Sequence, residues 1–85
     1  MIKLQTLLRA NKQTLTTAES CTGGLVASMI TKISGSSDIF NGSIVTYSNK
    51  IKNQELNVKN ETLNSFGAVS FEVVNEMLDG VIKKF

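Results

Sequence analysis

Apolar positions along the chain recur with two different periods. Leu4, Leu7 and Leu8 share one helical face against Lys3, Gln5 and Arg9, which predicts a short amphipathic helix over 2–9 that ends near Asn11. Thr14 to Ala18 is a β-prone run and reads as a first strand, buried in a sheet. Leu25, Val26, Met29, Ile30 and Ile33 return to helical spacing. They predict a second helix from Thr22 to about Ile33, closed by Ser34-Gly35-Ser36-Ser37 with Gly35 as the left-handed cap. Ser43-Ile44-Val45-Thr46-Tyr47 predicts the second strand. Before it, Asn41-Gly42 is a turn signal, with a tight hairpin to Ile39-Phe40 as the alternative.

The second half reads as helical. Ser48 or Asn49 caps a helix over Lys50–Leu56, and Asn60 caps a further turn, Glu61–Phe66, with Gly67 beyond its end. Ser70 caps the last helix and Glu72 sits in its favourable first turn. Val73, Val74, Met77, Leu78, Val81, Ile82 and Phe85 give that helix a wide apolar stripe. Val74, Met77, Leu78 and Val81 are expected to be buried against the sheet or another subunit. The sum is one α/β domain over 1–85 with two strands and four or five helices. Two strands give so many helices too little sheet to cover, so the pattern reads as the first part of a larger α/β domain, and a homo-oligomer is expected.

Composition narrows the function. A net charge of +2 with dispersed lysines argues against nucleic acid, and no apolar run approaches the ~20 residues of a membrane span. One cysteine and an N-terminus without a signal-peptide pattern predict a cytoplasmic protein. The chain has no histidine. That removes a Ser-His-Asp triad, a Cys-His dyad and any His-based metal site unless another chain supplies the imidazole. A single cysteine excludes a structural zinc site, so no metal is expected, and lysine remains as the base for a nucleophile.

The chemistry concentrates in Thr16-Thr17-Ala18-Glu19-Ser20-Cys21-Thr22-Gly23-Gly24, a strand-to-helix turn. Amides at the start of such a helix are unpaired and favour developing negative charge. Ser20 is the preferred nucleophile, although capping the helix is the ordinary task of a Ser20 or Thr22 in this position. Cys21 competes with it, since a helix N-terminus lowers a thiol's pKa, although a lone cysteine is more often a small buried filler. Gly23-Gly24 could cradle a phosphate, but the Lys-Ser/Thr pair of a P-loop is missing. Lys52 falls in the first turn after the second strand, where the helix dipole disfavours an ammonium, and is otherwise a solvated surface lysine like Lys50 and Lys59. If the strands are parallel, Ser20 and Lys52 face one crevice, together with Tyr47, which could stack or donate a hydrogen bond. Glu19 would orient a neighbour or favour the helix start.

The run Thr17-Ala18-Glu19-Ser20-Cys21-Thr22-Gly23-Gly24 resembles the signature of the CinA C-terminal domain family, the PncC-type nicotinamide-nucleotide amidohydrolases. The likeness continues through Gly35-Ser36-Ser37, Phe40, Gly42, Val45-Thr46-Tyr47-Ser48-Asn49 and Lys52. It resumes at Leu56-Asn57-Val58, Thr62-Leu63, Gly67-Ala68-Val69-Ser70, Val73-Val74 and Met77. The resemblance implies a three-layer α/β/α domain, here truncated, that hydrolyses the carboxamide of nicotinamide mononucleotide to nicotinic acid mononucleotide and ammonia. It implies no cofactor, a nucleophilic Ser20 and a partner Lys52, with amides of Cys21 to Gly23 as candidates to hold the oxyanion. Many members have a glycine where this chain has Ser43, a change read as trimming backbone freedom. The alternative is an inactive family member acting as an oligomerising or competence-associated module.

Overall fold

A computed structural model describes residues 1–85. The chain forms α1 (Ile2–Ala10), β1 (Leu15–Glu19), α2 (Leu25–Thr31), a short 3-10 turn (Ser36–Asp38), β2 (Phe40–Val45), α3 (Asn49–Leu56), α4 (Asn60–Phe66) and α5 (Phe71–Lys84). β1 and β2 pair in parallel, with Thr17 opposite Ser43, Ala18 opposite Ile44 and Glu19 opposite Val45. The α/β class and the two strands with five helices are as expected, and the parallel pairing resolves a direction the sequence left open. No helix is long and apolar enough to cross a membrane.

Alternation along the strands divides the packing. Ala18 and Ile44 face a core of Leu56, Val58, Leu63, Val73, Met77 and Val81, contributed by α3, α4, α5 and the α3–α4 link. Thr17, Glu19 and Ser43 turn to the opposite face, where α2 lies. Two caps of the helical half are as read: Ser48 accepts from Ile51 N–H and Ser70 from Val73 N–H, each at 3.2 Å. Asn60 is not a cap, for it is the first residue of α4 and Lys59 holds the capping position. α4 lacks a side-chain cap of its own, and α5 supplies one. Glu76 accepts from Lys59 N–H at 2.8 Å and from the Thr62 hydroxyl, bonds that hold its carboxyl below the usual range.

Four further expectations are corrected. The second helix starts at Leu25 rather than Thr22, because Gly23 and Gly24 adopt φ of 61° and 98°, outside the right-handed helical region. Asn41-Gly42 makes no turn. It lies inside β2, where the register shifts between Leu15 and Thr16, so that the strand bulges and then ends at Val45, before Tyr47. On α1 the buried residue is Gln5, 1% exposed, while Leu4 and Leu7 face solvent. Gln5 Nε2 donates to Ile30 O at 3.2 Å, and Arg9 Nη2 donates to Gly35 O at 2.7 Å, so polar bonds fasten α1 onto α2 and the loop after it. On α5, Met77 and Val81 are buried as expected, but Val74 and Leu78 stay 50% and 51% exposed.

Gly80, which the apolar pattern gave no reason to single out, sets the distance between α3 and α5. A Cβ there would come within 2.1 Å of Leu56 O, a backbone atom that cannot swing aside. Gly80→Ala would gain helix propensity yet is expected to lose about 3 kcal/mol through overpacking. Chemical denaturation of the two proteins checks this, and unchanged stability would mean that α3 and α5 do not pack backbone to backbone.

Candidate active site

β1 delivers Glu19 inward and the next residue, Ser20, to the rim of the sheet. Thr46 N–H donates to Glu19 O at 2.8 Å, so the C-terminal ends of both strands are level and Ser20 shares an edge with Tyr47 and Ser48. The parallel pairing on which the shared crevice depended is thus present.

Glu19 is 4% exposed and its carboxylate is saturated. Oε1 accepts from Val26 N–H and the Thr22 hydroxyl, both at 2.9 Å. Oε2 accepts from Ala27 N–H and the Ser43 hydroxyl, both at 3.0 Å, and the Thr17 hydroxyl lies 2.7 Å from Ser43 Oγ, to which it donates. The position before α2 is Gly24, which has no side chain to cap with, so Glu19 reaches over from the strand to do it. Burial, the largest single influence, would push this carboxyl up. The two amides, then Thr22 and Ser43, together outweigh it and hold Glu19 at about 2 against an ordinary 4.5.

This network changes the standing of several candidates. The start of α2 does not offer free amides, because the carboxylate occupies them. Glu19 therefore faces the protein and not a substrate. The N-cap explanation of Ser20 and Thr22 falls away, since Gly24 takes that place and the Thr22 hydroxyl is spent on Glu19. Ser20 is half-buried, and its hydroxyl is bonded to no protein atom, while its carbonyl accepts from Gly23 N–H at 3.0 Å. Gly23 thus drops out as an amide for an oxyanion, whereas the amides of Cys21, Thr22 and Gly24 have no protein acceptor. Cys21 is exposed, not a buried filler. Ser43 does more than trim freedom, for its hydroxyl belongs to the carboxylate's shell, a role visible only once the strand register is known.

Lys52 is the largest of the fully buried side chains, at 1% exposed, and so is no surface lysine. Its Nζ donates to Tyr47 O at 2.9 Å and has no carboxylate within 4.0 Å. Thr46, one residue earlier, is also buried, with its hydroxyl unpartnered. Two polar groups with fewer partners than they can use thus lie at the end of β2. Lys52 and Ser20 occupy the same rim but do not bond each other directly. Tyr47 is 73% exposed and stands clear of the sheet. Beside Ser20 opens a cavity of about 740 Å³, lined by Thr16 to Thr22 on one side and by Ala68 to Phe71, Val74 and Leu78 on the other. Lys52 is not among its lining residues.

The Glu19 network carries a pH signature. Its folded pKa lies below its unfolded value, so the stability it contributes is complete above about pH 4.5 and is lost as pH falls towards 2. Glu19→Gln is expected to cost about 2 kcal/mol at neutral pH and to flatten that acid limb, and Ser43→Gly should move the limb to higher pH. Urea titrations between pH 2 and 7 check both. An acid limb that survives intact in Glu19→Gln would assign it to another group.

The profile of the CinA C-terminal domain matches residues 2–85. A CinA-like protein of Endomicrobium trichonymphae is 58% identical over 77 residues, which are 91% of this chain and 18% of that protein. A protein of Thermoanaerobacter sp. (strain X514) named as a putative competence-damage inducible protein is 52% identical, over 91% of this chain and 19% of its own length. Among solved structures, the competence/damage inducible protein CihA of Agrobacterium tumefaciens superposes with a TM-score of 0.93 at 40% identity, over 96% of this chain and 50% of that one. The competence damage-inducible protein A of Klebsiella pneumoniae gives 0.95 at 35% identity, over 98% and 52%. The chain therefore spans about a fifth of the length of these curated relatives and about half of the solved chains. With its signature turn, its parallel strands and its fold all matched, this chain belongs to the CinA C-terminal domain family.

Proposed function

We propose that this chain supplies the nucleophile half of a Ser-Lys amidohydrolase whose substrate is the carboxamide of a nicotinamide nucleotide. The observation that carries the reading is the shared rim. An unbonded Ser20 hydroxyl follows β1, and the buried amine of Lys52 is held 2.9 Å from the carbonyl of Tyr47 just past β2. The choice of substrate rests on the family resemblance of the signature residues. Cys21 and Thr22, whose amides are free and whose loop is clamped through Glu19, are suited to an oxyanion.

In this mechanism the Lys52 amine moves from the Tyr47 carbonyl to Ser20 and takes its proton. Ser20 Oγ then forms a bond to the carboxamide carbon, and the carbonyl π pair becomes an oxyanion held by the Cys21 and Thr22 amides. Collapse expels the amide nitrogen, which leaves as ammonia with the proton returned from Lys52. Water, deprotonated by the same amine, cleaves the acyl-serine ester to the carboxylate and restores Ser20. The exposed Tyr47 ring is available to stack on the pyridine. Glu19 acts as a positioning residue for the loop.

The test uses a full-length family domain carrying these residues. Ser20→Ala should lower ammonia release from nicotinamide mononucleotide by at least about a thousandfold, while Cys21→Ala stays within a few-fold of the parent. Lys52→Arg should inactivate as well, because a guanidinium does not give up its proton. An inactive Cys21→Ala beside an active Ser20→Ala would transfer the nucleophile to the thiol. Substantial turnover by Lys52→Arg would remove Lys52 as the base.

A further inference from the structure

The strand pairing sets Glu19 opposite Val45, and Thr46 N–H, donating to Glu19 O at 2.8 Å, carries the ladder one step further. Ser20 therefore comes level with Thr46, on strands about 4.8 Å apart. Alternation decides which way each side chain turns. Ala18 and Ile44 face the α5 side and Glu19 faces α2, so Ser20 and Thr46 return to the α5 side. Ser20 accordingly borders the cavity that Val74 and Leu78 line. α3 packs on this side as well, through Leu56, and its Lys52 amine ends on the carbonyl of Tyr47, the residue next to Thr46. Ser20, Thr46 and Lys52 thus gather on one face, at one end of the sheet.

Thr46 serves no side-chain bond within the fold. It is 0% exposed, and its hydroxyl has no hydrogen-bond partner. A buried hydroxyl without partners weakens a fold, and a valine of the same shape would fill the site without that cost. The neighbouring hydroxyls are already committed: Thr22 and Ser43 to Glu19, and Ser48 to Ile51 N–H. Ser20 and Thr46 remain, side by side, and Lys52 has one bond where an amine can make more. A hydroxyl both accepts and donates. One standing between a serine and an amine can take a proton from the first while giving its own to the second.

We propose that Thr46 is a further catalytic residue, the link through which Lys52 draws the proton from Ser20. This deepens the Ser-Lys reading and rests on it. The amine then turns from the Tyr47 carbonyl only as far as Thr46 Oγ1. The Ser20 O–H bond breaks as its proton passes to Thr46 Oγ1, and the proton of Thr46 passes to the lone pair of Lys52 Nζ. The electron pair left on Ser20 Oγ forms the bond to the carboxamide carbon. Thr46 ends with one proton, as it began, and Lys52 holds the one that Ser20 lost. The same path in reverse carries that proton back towards the departing nitrogen.

The experiment uses a full-length family domain carrying these residues, as parent, Thr46→Val and Thr46→Ser. The reactivity of Ser20 is read without substrate, as the rate of its sulfonylation by methanesulfonyl fluoride followed by intact mass, with Ser20→Ala identifying the site. Ammonia release from nicotinamide mononucleotide gives kcat and KM. Thr46→Val should slow sulfonylation and kcat at least about a hundredfold, leave KM within about threefold and melt no lower than the parent. Thr46→Ser should bring both rates back to within about fivefold of the parent. A Thr46→Val that reacts and turns over like the parent would overturn the relay and leave the Ser-Lys reading standing. A Thr46→Ser as slow as Thr46→Val, or a Thr46→Val that melts well below the parent, would assign Thr46 a structural task and overturn it too. Sulfonylation that depends on Thr46 in a parent releasing no ammonia would uphold the relay and strike only the substrate. A parent that neither reacts nor turns over would overturn the relay together with the reading beneath it.

Discussion

The carboxylate of Glu19 at the end of β1 is the joint on which the signature turn depends. A seven-residue helix opening on a left-handed glycine has no cap of its own, and its first amides would otherwise end unpaired beneath the sheet. Glu19 takes two of them, draws in Thr22 from the loop and Ser43 from β2, and so ties four segments to one charge. Because side chains alternate along a strand, anchoring Glu19 on the α2 side fixes Ser20 on the other. The serine is presented because its neighbour is held.

Lys52 depends on a different chain of contacts. α3 is positioned by Gly80, which lets the backbone of Leu56 approach α5, and α4 is fixed by Glu76 across the same seam. The helix ends on Asn57 in a left-handed conformation, and Val58 N–H returns to Lys52 O at 3.2 Å. The amine is therefore carried by the helical core, and the hydroxyl by the sheet and α2. The two bodies meet at the paired ends of β1 and β2. The two candidate groups thus sit on separate supports, and the amine is bonded to the Tyr47 carbonyl and not to the serine.

These two halves were not equally legible in the sequence. Ser48 and Ser70 announced their helices because a cap is a local device, written within four residues of what it serves. The turn from Thr16 to Gly24 was legible for the same reason, as were Ser20 and Lys52 as candidates once the family signature was set beside them. Asn41-Gly42 misled because the dipeptide that favours a hairpin turn also suits a bulge, and only pairing with β1 decides between them. Gln5, Gly80 and Ser43 were illegible since each answers to an atom far along the chain: Ile30 O, Leu56 O and Glu19 Oε2. The apolar stripe of α5 located the helix correctly. It could not separate the ridge that meets this sheet from the ridge that reaches beyond it.

The edge of β1 bears on the catalytic reading. β1 has β2 as its one neighbour and also carries the residue that clamps the loop, so the stiffness of the segment that ends in Glu19 and Ser20 rests on β2 and on the bonds of that carboxylate. Positioning errors of about an ångström can cost a hundredfold in rate. A serine at the end of an edge strand is the kind of group where such errors arise, and the buried carboxylate of Glu19, bonded to α2, to the loop and to β2, is what limits them.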